Sequence, residues 1–288
     1  MAKLLGKLDS GEIDRLMAQA IIEGKFRIIT DASASVPLDP ASPPDHVGGY
    51  RENAAAPKTS TQEGFVMPAT AQAFWQGVWD ELLGIGKIVV QPLPNLTPKQ
   101  LESLDKYGFL LVRIPAIIEE QYPSSFVKPA WGRHPNIQSI ERFPLVGDWI
   151  VVETIAKPHY DDPNGYPDDR LMATLMRSSR FNTSHDDLTG GLLAKIAKIT
   201  GFPKKGTRLP TVEEWNFIGN LFNWLRENRG MNLPDLGSTR SWEWCQNTLD
   251  SDYRLIVGYS ENGGLADVHD AWRGARYGDI SFRVLAVL

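Results

Sequence analysis

Apolar positions along the chain fall at helical spacing in some stretches and at strand spacing in others, and the two periods together predict a mixed α and β protein. Ile13, Leu16, Met17, Ala20 and Ile21 recur every three or four residues behind Asp9 and Glu12, which have capping-box spacing, and Gly24 ends the run. Phe74, Trp75, Val78, Trp79 and Leu82 mark one side of a second helix over Met67 to Leu83, followed by a strand predicted at Ile88 to Gln91. Thr97, Pro98 and Gln100 open a short helix that Gly108 closes, ahead of a strand at Phe109 to Ile114. Asp148 to Ile155 is rich in β-branched residues and reads as a strand. Ser184 and Asp187 cap a helix carrying Leu188, Leu192, Ile196 and Ile199 up to Gly201. Thr211 and Glu214 cap another, with Trp215, Ile218, Phe222 and Leu225 as its buried stripe and Gly230 as its stop. Leu255 to Gly258 and Ile280 to Leu288 are strand-like. Phe282 and Val284 alternate with Arg283 and Leu285, so the closing strand is expected to bury one face and to pair with Leu255 to Val257.

Between these elements the composition shifts. Asp31 to Gly64 turns to Ala, Ser, Pro and Gly, and Pro37, Pro40, Pro43, Pro44 and Pro57 break any regular structure, so a Pro-rich arm is expected at 31–64. Such an arm suits wrapping a neighbouring subunit or attachment to a larger body. A turn-rich stretch from Pro129 to Pro135 sets the expected boundary, giving an N-terminal mixed α/β region over 1–134 and a C-terminal domain over 135–288. The fold class is α+β.

Composition narrows the function classes. The 288 residues carry 30 Lys plus Arg against 35 Asp plus Glu, and the resulting charge of -5 lacks the broad basic footprint of a nucleic-acid binder. No run approaches the ~20 apolar residues of a membrane helix, and the start of the chain is not expected to act as a secretion signal. Cys245 is the single cysteine, which excludes an internal disulfide and any mechanism needing a cysteine pair in one chain.

Candidate chemistry is thin. Arg254 to Gly264 runs an apolar strand into Gly258-Tyr259-Ser260, as a nucleophile elbow does, but Asn262 stands where the closing glycine belongs, and Asp267 and His269 lie too close together to complete a triad from separate loops. Asp161, Asp162, Asn164, Asp168 and Asp169 form an acidic loop without the alternating spacing of a calcium loop, and Asn164-Gly165 explains it as turn chemistry. His46, His134, His159, His185 and His269 are scattered singly, with no metal-binding pair. Of the clustered tryptophans, Trp215, Trp224, Trp242 and Trp244 read as core, whereas Trp272 lies in a polar insert beside Arg273, Arg276 and Tyr277, residue types enriched where partners bind.

Five ordered blocks carry a family resemblance. Gly206 to Trp215, GTRLPTVEEW, resembles the Arg-Leu-Pro-Thr-x-x-Glu-Trp signature of the formylglycine-generating-enzyme type of C-type lectin fold. Trp242-Glu243-Trp244-Cys245 resembles its Trp-Glu-Trp segment. Val257-Gly258-Tyr259-Ser260, Ala271-Trp272-Arg273 and Ile280-Ser281-Phe282-Arg283-Val284 resemble its closing blocks, with Ser281 in place of the usual glycine. The resemblance spans roughly residues 145 to 288 and implies a C-terminal C-type lectin-like domain. The enzymes of that family use an active-site cysteine pair that this chain does not have. Calcium-dependent sugar binding is disfavoured too, since Gln91-Pro92-Leu93 lacks the third ligand.

The sequence is similar to the variable proteins of diversity-generating retroelements, which bind ligands through a C-terminal region rewritten by adenine-directed mutagenesis. Template asparagine codons there become any residue except Trp, Met, Lys, Gln and Glu, and between Val257 and Ser281 only Glu261 and Trp272 belong to that excluded set. The resemblance implies a recognition protein, not an enzyme, with no cofactor and no metal. Its ligand-binding residues are expected to be Tyr259, Asn262, Asp267, His269, Asp270, Trp272, Ala275, Tyr277 and Asp279, exposed on one contiguous surface. The partner is expected to be a protein or other surface ligand, with neither nucleic acid nor membrane insertion involved; a homo-oligomer, and display on a virion or a cell surface, are open. The alternatives are a divergent enzyme of the formylglycine-generating superfamily and a structural assembly protein.

Overall fold

A computed structural model describes residues 70–133 and 136–288; the expected first helix, the Pro-rich arm, His46 and His134 lie outside the described residues. The described residues fall in one compact unit. It is an α+β fold with two four-stranded sheets.

The first described helix, α1 (Ala71–Leu83), buries Ala71, Trp75, Val78 and Trp79. The two indoles stack at 5.5 Å, and their N–H groups donate to the carbonyls of Leu111 and Arg113 at 3.0 and 2.8 Å. The helix is thereby fixed along β1 (Phe109–Arg113). Helix α2 (Pro98–Tyr107) begins at a capping box between Thr97 and Gln100 and stops at Gly108, whose left-handed φ of 67° suits a residue without Cβ.

The first sheet has the order β1-β2-β8-β3, built from β1, β2 (Trp149–Glu153), β8 (Leu285–Val287) and β3 (Thr207–Arg208). β1 and β2 are antiparallel, with Phe109 opposite Glu153 and Arg113 opposite Trp149. The division expected at 134/135 therefore does not coincide with a break in the structure, because strands on either side of it share a ladder. The expected strand at Ile88 to Gln91 is not a strand. Side chains of α1 satisfy its backbone instead: Gln76 donates to the Ile88 carbonyl and accepts from the Val90 amide, and Gln72 donates to the Val90 carbonyl.

A short helix α3 (Arg170–Thr174), capped by Asp169, precedes a helical run that starts as α4 (His185–Asp187) and ends as α5 (Leu193–Thr200). A π-helical turn, Leu188–Leu192, joins the two, with a kink at Gly191. The capping boxes of Ser184 with Asp187 and of Thr211 with Glu214 are both formed, the second opening α6 (Val212–Arg229). Trp215, Phe217, Ile218, Leu221, Phe222 and Leu225 of α6 are buried in the core.

The second sheet has the order β6-β5-β4-β7, from β4 (Trp242–Thr248), β5 (Tyr253–Val257), β6 (Val268–Trp272) and β7 (Ile280–Ser281). The chain end departs from expectation here. Residues 280–285 do not pair with Leu255 to Val257: β7 runs parallel to β4, and β8 crosses to the first sheet between β2 and β3. Phe282, Arg283, Val284 and Leu285 are all buried. Arg283 can be buried because its guanidinium donates to Glu243 Oε1 at 2.9 Å and to the carbonyls of Glu153 and Ile155 at 2.7 and 3.0 Å.

Candidate functional site

Strand β4 divides its side chains between two environments. Successive strand residues face opposite sides. Glu243 points inward, where its carboxylate meets Arg283 and the indole N–H of Trp215. Burial works against the Glu243 charge, but Arg283 and Lys157 outweigh it and hold the carboxyl below its ordinary range. Lys157 is buried, and its ammonium donates to the carbonyls of Ser241 and Gly258 at 2.7 and 2.8 Å. Burial lowers its pKa to about 8 despite Glu243. Gly258, with φ of 95°, has to be glycine: a Cβ there would come within 2.6 Å of the Trp215 ring and 2.9 Å of Lys157 Nζ.

A second buried cluster lies beside the first. Arg180 donates to Glu153 through both terminal nitrogens at 2.7 Å and to Asp169 through Nε at 2.6 Å. Burial opposes the Arg180 charge, but the two carboxylates keep its pKa well above the ordinary value. The acidic loop is thus spent internally: Asp169 holds Arg180, Asp161 pairs with Arg240 at 2.7 Å, and Asp162 accepts from the Asn164 amide. Among the described residues no group of three or more His, Cys, Asp or Glu is arranged to hold a metal. The Cys245 thiol faces inward, and burial raises its pKa well above the ordinary value.

The other side of β4 presents Trp242 and Trp244. The ladder sets Trp244 level with Ile256 of β5 and His269 of β6, so all three share this face. Tyr259 stacks on Trp242 with centroids 5.2 Å apart, His269 meets the same indole at 5.5 Å, and Tyr277 lies 6.4 Å from Trp244. The two tryptophans form a floor, and residues of the insert rest on it. Sheet topology explains why: β6 and β7 lie at opposite edges, so residues 273–279 have to cross β5 and β4. The crossing segment is attached on its far side. Arg273 pairs with Asp186 at 2.6 Å, Arg276 with Asp187 at 2.8 and 2.9 Å, and the Asn182 and Asp186 amides donate to the carbonyls of Tyr277 and Arg273.

The expected site residues are only partly brought together. Tyr259, His269 and Tyr277 sit on the floor half-buried, and Asp279 accepts from the Trp242 amide through its carbonyl. Asn262 is exposed in the turn next to Tyr259. Strand alternation sends Asp270 and Trp272 to the other side of β6 from His269, where Trp272 is 51% exposed and opposite Tyr253. Ala275 is half-buried within the crossing segment. Asp267 is a correction: it is 1% exposed, at the turn below Gly258, whose amide donates to its carbonyl, and it acts on Lys157 electrostatically. Ser260 is half-buried in a helical turn, with its amide bonded to the Thr239 carbonyl.

Several site residues escaped the sequence reading. Partial desolvation raises the Tyr259 phenol, and Glu261, Tyr160 and Asp279 add to the rise while Arg240 opposes it, so Tyr160 and Arg240 belong to the same neighbourhood. Arg240 lies 5.9 Å over the Tyr160 ring. The i, i+2 spacing of Trp242 and Trp244 in a strand was the signal for the floor. No family model matches the chain, and no curated protein matches it either. Among the described residues no helix is long and apolar enough to cross a membrane.

Proposed function

We propose that the C-terminal part of the chain is a C-type lectin-like recognition domain without catalytic activity, and that the exposed and half-buried residues of 259–279 form its diversified ligand-binding surface, as in the variable proteins of diversity-generating retroelements. One observation carries the reading. The buried ion network that holds the two sheets uses Glu153, Asp169, Arg180, Glu243 and Arg283, all outside the insert, whereas Tyr259, Asn262, His269, Trp272, Tyr277 and Asp279 are exposed or half-buried. Identity at those positions can change while the scaffold stays folded. Half-buried tyrosines, an exposed tryptophan and short polar side chains are the residue types that rigid binding surfaces favour.

The genetic test is the neighbouring DNA, where a reverse-transcriptase gene and a near-copy of the segment encoding 257–281, differing at template adenines, are expected. The biochemical test replaces Tyr259, Tyr277 and Asp279 together and compares partners captured on a display panel of cell-surface proteins. A changed partner set with a cooperative thermal melt lowered by only a few degrees is the expected outcome; an unchanged set overturns the binding surface.

A further inference from the structure

We propose that His185 makes the crossing segment 273–279 releasable by acid: protonation of its imidazole detaches the segment from Asp186 and Asp187 and rearranges the surface the segment carries. Its consequence for binding rests on the reading of that surface given above; the release itself does not.

His185 is 6% exposed, at the start of α4, and its ring meets Trp244 at 5.9 Å with an interplanar angle of 73°. Neither ring nitrogen has a hydrogen-bond partner among the described residues. The charged groups that face it are Arg254 from β5, Arg273 from the crossing segment and Asp186 beside it. The one carboxylate of the three is already taken by Arg273 at 2.6 Å. A neutral imidazole fits this slot as an aromatic ring. An imidazolium would put two N–H donors without acceptors beside two guanidiniums, which is costly in a desolvated place.

The strain can be relieved in two ways, and both break the attachment. If the ring leaves the slot, it displaces the start of α4, which carries Asp186 and Asp187. If it stays, it draws the Asp186 carboxylate away from Arg273. The bonds at risk are weak singly: Arg273 and Asp186 are 40% and 42% exposed and Arg276 and Asp187 66% and 32%, so solvent screens both pairs. A modest penalty is enough to tip them.

Burial, with Arg254 next and Asp186 opposing, lowers the His185 pKa from 6.5 to about 4. With the detached value near 6.5, attachment is complete above that pH and is lost progressively as the pH falls toward 4. The Arg276 guanidinium bonded to Asp187 holds that carboxyl well below the ordinary range, so Asp187 stays ionised throughout the window.

Hydrogen exchange read by mass spectrometry on the full chain, without ligand and corrected for the intrinsic effect of pH, tests this. Between pH 7 and about 4.5, protection of 182–187 and 273–279 is expected to fall by about ten-fold or more while that of β1 and β2 holds. His185→Phe removes the dependence; His269→Gln keeps it. Protection that does not change with pH, an equal fall in His185→Phe, or an equal fall in β1 and β2 overturns the proposal. Should His185→Phe not fold, an NMR titration of the unaltered chain decides: loss of the contacts between 273–279 and 182–187 as the His185 ring protonates supports release, and a ring that titrates with those contacts kept overturns it. These readouts bear on the attachment alone, and the partner comparison bears on the binding surface alone.

Discussion

The two sides of β4 are built from adjacent residues and follow opposite rules. Inward, Glu243 joins a network in which each charge has a partner, and the chain spends buried arginines, a buried lysine and several backbone carbonyls to satisfy it. Outward, Trp242 and Trp244 offer area without polar demands beyond the Trp244 N–H, which donates to the Thr183 carbonyl. A charged network accepts almost no substitution, since removing one member strands the rest. A flat aromatic floor accepts many, since what rests on it has only to cover part of it. Tolerance to change is thus set by strand alternation and not by distance from the core.

The largest expected losses fall on the inward side. Arg180→Leu leaves Glu153 and Asp169 buried without their cation and is expected to destabilise by about 3 to 5 kcal/mol in urea unfolding. A loss under about 1 kcal/mol would mean the network is wet and dispensable. Trp215→Ala is expected to cost roughly 3 to 5 kcal/mol through cavity formation and loss of the bond to Glu243, with Thr211→Ala costing about 1 through the lost cap. Both are read as shifts in thermal melting.

The helices and their limits were legible because capping is local chemistry. Thr97 with Gln100, Ser184 with Asp187 and Thr211 with Glu214 each place donor and acceptor three residues apart, and all three boxes form. Pairing was not legible. The closing segment looked like a one-faced strand because Arg283 reads as a solvent residue, and its burial depends on Glu243, 40 residues away. Asp267 misled for the same reason: the buried lysine that stabilises a carboxylate there comes from a distant loop. On the candidate surface, Tyr259, His269 and Tyr277 were expected from the family resemblance, whereas Tyr160, Arg240 and the anchoring Asp186 and Asp187 needed the fold to bring them near.

Cys245, the inward neighbour of Trp244, carries a smaller effect. Because burial raises its thiol pKa, the unfolded chain loses that proton first once pH passes about 8.5, and from there its contribution makes stability fall as pH rises. Cys245→Ser is expected to flatten that decline and leave ligand binding intact. Iodoacetamide at pH 8 should modify the thiol only after denaturation; ready labelling of the folded chain would place it at the surface.

The smallest effect belongs to the outward side. Asn262→Ser with Asp279→Ser should move stability by no more than ~0.5 kcal/mol for each change while altering partner choice. Tyr259→Ala should cost more, about 0.5 to 1.5 kcal/mol, because its ring stacks on Trp242. A Tyr259 cost equal to that of Trp215 would erase the distinction between the two sides.

The crossing of residues 273–279 sets a rule about length rather than identity. From β6 to β7 the chain has to traverse three strand spacings, roughly 14 Å, and seven extended residues reach about 23 to 25 Å. The surplus is used in rising over the indoles and meeting Asn182 and Asp186 on the way. Removing two or three residues would pull the segment flat onto Trp244 and out of reach of those anchors, and adding several would let it lift away. The exposed letters of this surface can change while its buried ones, Asp267 and Val268 among them, and its anchors Arg273 and Arg276 stay, but its word length is fixed, so substitution without insertion or deletion is the change this frame admits.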